Sequence, residues 1–239
     1  MKSRLNQLKS WLFSVYILLM LFSCSKHPDN SPVIEKEINI TGFNRVYAGD
    51  KFNVTISKGA AFYVKVKGPT NSVNDIGWTV ANNILDIEYN HFENNRPPID
   101  IVITMPMLVQ LNLSGAANGS INGYQGVSNV LRTVLSGASI CTVNGTGSGT
   151  QFDISGASQL TVNGSTGSLY GNLSGAGKLN AYELTSTEVD ISASGGSEAR
   201  VKVTDRLFAE ATGGSRIYYK GTPAVKNIQT SGGGQVVQQ

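Results

Sequence analysis

Two aspartates and two arginines in the second half of the chain are the side chains best suited to acid–base chemistry. Asp153 and Asp190, with Arg132 and Arg200, match the acids and basic residue that β-helical polysaccharide lyases and hydrolases place along one strand face. However, Asp153 lies two residues before a Ser-Gly motif and Asp190 lies four before its own, which argues against a shared column. Isolated carboxylates on an outward polar surface are usually only solvated. A polysaccharide-active enzyme is therefore one hypothesis among three, and no catalytic residue is assigned.

The sequence pattern does not predict a metal site at either of the two histidines. His27 lies in a polar N-terminal segment and His91 in the polar loop 89–95, and neither has a Cys or His partner at metal-ligand spacing. We expect both rings to be solvated. The chain also lacks a nucleophile elbow, a phosphate-binding loop and a metalloprotease helix motif. The sequence predicts neither a metal nor a cofactor.

The N-terminal residues have the three parts of an export signal that ends in an acylation site. A basic start precedes the apolar run 11–22, whose 12 residues are too few for a helix to span a bilayer about 30 Å thick. The run leads into Leu21-Phe22-Ser23-Cys24, which resembles a bacterial lipobox with its small residue before the cysteine. We predict a signal peptide at 1–23 and lipidation of Cys24, which attaches the protein to the outer membrane. The alternatives are an uncleaved anchor helix or an ordinary signal peptide.

The segment after Cys24 and the charge balance limit the possible partners. Residues 24–34 are polar and contain two prolines, which is typical of a short flexible tether. The formal charge of +3 comes from Lys2, Arg4 and Lys9, because the rest of the chain carries 16 basic and 16 acidic residues. This balance favours neither nucleic acid nor an anionic membrane surface as a partner. If Cys24 is acylated, the other cysteine, Cys141, has no disulfide partner within the chain.

Residues 35–239 form the predicted β domain, and its first part, 35–113, shows alternation of apolar and polar residues. The segments 52–56, 63–67, 85–89 and 99–104 each place apolar residues two apart, and glycine, proline or asparagine pairs separate them. At most one helical turn fits, within 71–77. The pattern predicts strands that belong to the same domain as the residues that follow.

Residues 114–235 contain a repeat. A triplet of small residues recurs at intervals of 18 to 22 residues, and its copies begin at Ser114, Ser136, Ser155, Ser174, Ser194, Thr212 and Ser231. A unit of about 19 residues without a helix is too short to bury a core alone, so successive units must stack. This predicts an all-β fold, a single-stranded parallel β-helix with right-handed coils. An antiparallel sandwich is the alternative, although it does not require such regular copies.

The repeat also predicts which side chains face the core. The residue before each triplet and those five and seven positions after its first residue are mostly apolar, and the last two lie on one face of a short strand. Cys141 occupies the same slot as Leu160 and Leu179, so it should be a small buried apolar residue with an unreactive thiol. Three coils turn at Asn-Gly, which accepts a positive φ readily: 122–123, 144–145 and 163–164.

These residues resemble a known family. A lipobox, the segment 99–116 (Ile-Asp-Ile-Val-Ile-Thr-Met-Pro-Met-Leu-Val-Gln-Leu-Asn-Leu-Ser-Gly-Ala) and the serial Ser-Gly-Ala and Ser-Gly-Gly coils are similar to the putative auto-transporter adhesin head GIN domain family of Bacteroidetes-type bacteria. The opening Thr41-Gly-Phe-Asn-Arg-Val-Tyr47 fits it as well. The resemblance covers about 35–235. It implies β-helical coils at the cell envelope and brings no catalytic residues.

The sequence supports three functions without selecting a ligand. The first is a non-enzymatic adhesin or surface-interaction module that binds a glycan or a protein. The second is an accessory envelope component that binds another protein, and the third is the polysaccharide-active enzyme. The candidate sugar-stacking side chains are Tyr124, Tyr170, Tyr182, Tyr218 and Tyr219. The sequence determines neither the oligomeric state nor the side of the membrane on which the domain lies. The last coil needs a cap or a partner to cover its unpaired backbone.

Overall fold

The fold is seen in a computed structural model that describes residues 29–93, 95–126, 129–145 and 147–239. The predicted signal peptide, Cys24 and His27 lie outside the described residues. Within these ranges the chain is nearly all β, with one short helix, α1 (Thr70–Asn74). No helix in the described ranges has the length and apolar character needed to cross a membrane.

Short strands joined by tight corners make up the molecule. In the N-terminal section they are β1 (Val33–Glu37), β2 (Arg45–Ala48), β3 (Phe52–Lys58), β4 (Tyr63–Pro69), β5 (Ile76–Ala81), β6 (Ile84–Tyr89) and β7 (Ile99–Met105). In the repeat they are β8 (Gln110–Leu113), β9 (Asn118–Asn122), β10 (Val130–Leu135), β11 (Ile140–Asn144), β12 (Gly149–Ile154), β13 (Gln159–Leu173), β14 (Lys178–Ala193), β15 (Glu198–Ala211), β16 (Arg216–Lys220), β17 (Val225–Thr230) and β18 (Gln235–Gln238).

Each coil of the repeat has one strand before its small-residue corner and one after it. The strands before the corners pair in parallel and form the first face, made of β8, β10, β12, the C-terminal parts of β13, β14 and β15, and β17. The strands after the corners form the second face in the same way, from β9 through β11, the N-terminal parts of β13, β14 and β15, and then β16 and β18. The result is a solenoid of about seven turns with coils of roughly 19 residues, which confirms the predicted fold class.

The predicted inward residues are buried. Leu135 before a corner, and Leu160 and Val162 after one, are each at most 1% exposed. Cys141 is fully buried beside Gly119, and this burial raises the pKa of its thiol to about 12. Leucine, isoleucine and alanine thus fill equivalent slots of one continuous core.

Two further sets of inward residues were not predicted. The strand before each corner buries alternate residues, among them Leu131 and Phe152, which the count from the triplets did not include. The fourth residue of several corners is a buried serine, as at Ser139 and Ser158, whose hydroxyls lie 3.2 Å apart. These hydroxyls are hydrogen bonded to each other or to corner carbonyls, which makes their burial tolerable.

The corner glycines have a steric reason. Gly156 has φ +68°, and a Cβ atom there would lie 2.4 Å from the carbonyl oxygen of Gly137 in the preceding coil. The next residue, Ala157, donates its N–H to that same oxygen at 2.7 Å. Successive corners therefore stack backbone on backbone, and only glycine combines this contact with a positive φ.

The N-terminal section continues both faces, but its coils are not in chain order. The coil formed by β2 and β3 lies between β6 and β7 on one side and β8 and β9 on the other, all in parallel. The alternating pattern of 35–113 predicted the strands but not this exchange. Antiparallel strands then close the end: β5 pairs with β6, β4 pairs with β7, and β1 pairs with β4.

Residues that precede position 35 already contact the β domain. Asp29 accepts hydrogen bonds from the backbone N–H and the hydroxyl of Ser72, at 2.9 and 2.6 Å. Partial burial opposes the charged carboxylate, but the hydrogen bonds from Ser72 and Ser31 outweigh it and lower the pKa of Asp29 to about 2. Residues 29–34, which the sequence assigned to the tether, therefore include a docked segment and the start of β1.

Candidate interaction surface

The outward side chains of the second face form columns along the solenoid, and in the first half of the solenoid these columns contain stacked asparagines. Asn118 donates to Asn53 at 3.0 Å. Asn144 donates to Asn122 at 3.0 Å, and Asn163 donates to Asn144 at 2.9 Å. At the start of these stacks, Asn122 donates to Ser120 within its own coil and Asn53 donates to Asp100. A carboxamide has two N–H donors and two acceptor sites, so these bonds hold the side chains in place without using all of their hydrogen-bonding groups. We call these stacked asparagines the amide ladder.

The second half of the same face is basic. Five cations point outward from three neighbouring coils, and two tyrosines lie among them. We call this set the basic patch: Lys178, Tyr182, Arg200, Lys202, Arg216, Tyr218 and Lys220. The register places Lys202 directly beside Lys220, and Arg200 beside Tyr218.

The side chains of the basic patch contact one another. The ammonium group of Lys220 lies 4.2 Å from the centre of the Tyr182 ring, and the Arg200 guanidinium lies 6.0 Å from that of Tyr218. Arg200 also forms an ion pair of 2.8 Å with Glu198. Partial burial raises the pKa of Tyr182, which donates a hydrogen bond to the side chain of Gln239. The aromatic rings therefore help to fix where the cations stand.

The four candidates for polysaccharide chemistry are not brought together. Arg132 and Asp153 form an ion pair of 2.6 Å on the first face, and Asp153 also accepts a hydrogen bond from Asn172. Asp190 occupies a different column, in register with Tyr170 and Phe208. Arg200 lies on the second face. Asp153 therefore has its own cationic partner, Arg132. Asp190 lies in a different column and on a different coil.

Comparison with known proteins identifies the family. The family model described as "Putative auto-transporter adhesin, head GIN domain" matches residues 42–223. The chain belongs to this family. No match was found among curated protein sequences.

Solved structures share the fold of this head GIN domain. A putative adhesin from Bacteroides fragilis has a TM-score of 0.73 at 19% identity, over 90% of this chain and 100% of that one. A putative adhesin from Parabacteroides distasonis has a TM-score of 0.65 at 18% identity, over 89% and 99%. A putative lipid binding protein from the same organism gives 0.61 at 18% identity, over 89% and 99%. At these identities the likeness shows the architecture alone.

A concave region of the head GIN domain lies in its N-terminal part. It has a volume of about 720 Å³ and is lined by residues that include Tyr89, His91, Phe92 and Arg96. The Arg96 guanidinium lies 3.9 Å from the centre of the Tyr89 ring and also binds Asp75. Partial burial opposes ionisation of Asp75, but hydrogen bonds from His91 and Arg96 outweigh it and lower its pKa. The ion pair between Arg96 and Asp75 thus helps to fix the wall of this cleft.

His91 has a carboxylate neighbour, Asp75. Its ring nitrogen lies 2.5 Å from Asp75, although 79% of the side chain is exposed. The His91 ring is therefore exposed, as the sequence predicted, but it also contacts Asp75, which the sequence did not predict. Within the described parts of the head GIN domain, no group of three His, Cys, Asp or Glu side chains is arranged to hold a metal ion.

The five tyrosines singled out in the sequence separate into two classes. Tyr124 and Tyr219 are 1% and 4% exposed, and the hydroxyl of Tyr124 donates to the carbonyl of Met105 at 3.0 Å. These two pack in the core and are not available for stacking on a sugar. Tyr170, Tyr182 and Tyr218 are half-buried on the outer faces.

Proposed function

We propose that this protein is a non-enzymatic interaction module of the cell envelope, with the adhesin-like role that its family name suggests. The observation that carries the proposal is the second face, where outward side chains of successive coils are held in register as the amide ladder and the basic patch. Such columns present donors, acceptors and charges at a repeat of roughly 4.8 Å. A surface of this kind suits contact with an extended partner better than chemistry on a small substrate.

The placement of the acids supports a non-enzymatic role. Asp153 is paired with Arg132, and Asp190 stands in another column between Tyr170 and Phe208. A glycoside hydrolase instead uses two carboxyl groups on either side of the scissile bond, roughly 5–10 Å apart. The rival hypothesis predicts activity on a polysaccharide panel that Asp153→Ala or Asp190→Ala abolishes. Such a result would replace the proposed function.

We further propose that acylated Cys24 holds the domain at the outer membrane. The lipobox-like sequence before Cys24 supports this anchor, and the segment that follows it reaches the domain where Asp29 contacts Ser72. Labelling of growing cells with a radioactive fatty acid should mark the protein, whereas Cys24→Ser should abolish the label and shift the protein to the soluble fraction. Unchanged membrane attachment of Cys24→Ser would rule out this anchor.

Protease treatment of intact cells tests the adhesin role most directly. A domain that binds partners outside the cell must be accessible, so added protease should degrade it while a periplasmic marker stays intact. Full resistance would exclude adhesion and favour an accessory role with another envelope protein. Residues 25–239 contain the whole described domain, so a glycan array and a pull-down with this chain would then separate glycan from protein partners.

A further inference from the structure

The basic patch concentrates positive charge in a chain whose residues 24–239 are balanced. Lys178, Lys202, Arg216 and Lys220 are exposed, and among the ion pairs seen in the described residues none involves these four. Arg200 has Glu198 as its partner. In the part of the chain that the structure describes, no carboxylate lies at ion-pair distance from these four cations, although Glu198 is the register partner of both Lys178 and Arg216. Lys202 and Lys220 therefore form the part of the patch that has no acidic neighbour in register.

The pairing of Lys202 with Lys220 is unfavourable for the isolated domain. Lys202 and Lys220 are register partners on neighbouring parallel strands. Like charges at directly paired positions destabilise a sheet. The Tyr182 ring accommodates the ammonium group of Lys220, but Lys202 has no such contact among those seen in the structure. An anion bound between the two lysines would remove this repulsion.

The tyrosines give the patch a second kind of contact. Tyr218 lies on the outer surface beside Arg200 and is half-buried, so part of its ring is open to solvent. An exposed aromatic ring next to cations can pack against the apolar face of a sugar while the cations bind its acidic groups. The coils repeat at roughly 4.8 Å, which is close to the length that one sugar residue adds to an extended chain.

We propose that the basic patch binds an acidic polysaccharide whose sugars carry carboxylate or sulfate groups, with the polymer extended along the solenoid axis. This rests on the proposed function and names the ligand class of the second face. The balance of 16 basic and 16 acidic residues outside the first 23 disfavours nucleic acid, whose binding domains are strongly basic overall. The patch is also limited to the C-terminal coils of one face.

Binding of residues 25–239 to polygalacturonate tests the proposal, with neutral dextran as the reference polymer. Polygalacturonate should bind and dextran should not, and added salt should weaken the binding. The double variant Lys202→Gln/Lys220→Gln should lower the affinity about fivefold, the effect of two exposed ion pairs. The control Lys51→Gln/Lys58→Gln removes two exposed cations from the N-terminal half and should leave the affinity unchanged.

A comparison of two polyanions tests the role of the tyrosine. Tyr218→Ala should weaken binding of polygalacturonate but not of inorganic polyphosphate, which has no ring for the tyrosine to contact. Equal losses for both polymers, tighter binding of duplex DNA than of polygalacturonate, or no binding of polygalacturonate would each overturn the proposal. Protease accessibility on cells and binding of neutral glycans do not depend on the patch, so the proposed function can survive its failure.

Discussion

The solenoid has two halves with one backbone plan and different side chains. Before Ser174 the core contains large residues such as Phe52 and Phe152, and the second face carries the neutral amide ladder. After Ser174 the core contains many alanines, such as Ala199 and Ala211, and the same face carries the basic patch. Stacked coils therefore allow packing and surface chemistry to vary independently. We expect the N-terminal half to contribute most of the stability and the C-terminal half to bind the partner.

The largest effect should come from the core of the N-terminal half. Phe152→Ala removes a fully buried ring and should lower the free energy of unfolding by about 3–5 kcal/mol. Leu207→Ala, which removes an equally buried side chain from the C-terminal half, is the control and should have a smaller effect. Urea unfolding of both variants measures the difference. Equal losses would contradict the assignment of stability to the first half.

The corners should give the next largest effect. In Gly156→Ala, the added methyl group would lie 2.4 Å from the Gly137 oxygen at a φ of +68°. We expect a loss of about 2 kcal/mol or more, because a residue with a Cβ atom is disfavoured at positive φ and the stacked corner cannot move away. Thermal unfolding should show the lower stability, and an unchanged Tm would contradict the stacking described for the corners.

A smaller loss should follow from breaking the amide ladder. Asn144→Ala removes the central carboxamide, which donates to Asn122 and accepts from Asn163, and should lower the free energy of unfolding by about 1 kcal/mol. Asn180→Ala in the C-terminal half is the matched control, because no hydrogen bond of its side chain is seen in the described structure. A comparable loss in both variants would show that the ladder does not stabilise the domain.

The smallest effect should be a gain in the C-terminal half. From Ser194 onward the corners read Gly-Gly where earlier ones read Gly-Ala, and a Cβ atom at Gly196 would lie 3.7 Å from the nearest atom, the Gly175 oxygen. Gly196→Ala should therefore stabilise the domain by about 0.4–1 kcal/mol, since alanine reduces the freedom of the unfolded chain. A loss of stability would mean that the late corners need their second glycine.

The triplet spacing was sufficient to predict the coils, because identical corners must stack and their neighbours must then pair. It placed Cys141 and Leu160 in the core correctly. The triplet spacing did not reveal the inward residues of the first face. Those residues lie before each triplet, whereas the predicted core positions lie mostly after it. The spacing also did not reveal the exchanged coils, because the N-terminal section lacks the triplet that would show which strands are neighbours.

The basic patch was hidden for a related reason. Its five cations are spread over three coils, from Lys178 to Lys220, and the overall charge balance conceals them. Lys202 and Lys220 occupy the same position relative to the triplets that begin at Ser194 and Thr212, which brings them together on neighbouring coils. By contrast, the contact between Asp29 and Ser72 joins distant segments outside the repeat, and no periodicity indicates it.

The exchanged order of the N-terminal coils has a consequence for how the protein is made. The strands β2 and β3 need β6 and β7 on one side and β8 and β9 on the other, and all four are synthesised later. The nascent chain cannot complete its first coil until residue 122 is available, whereas each later coil can be added onto a finished one. Synthesis and folding therefore run in different orders at the N-terminus and in the same order afterwards. The first coil must therefore wait for strands that are synthesised after it.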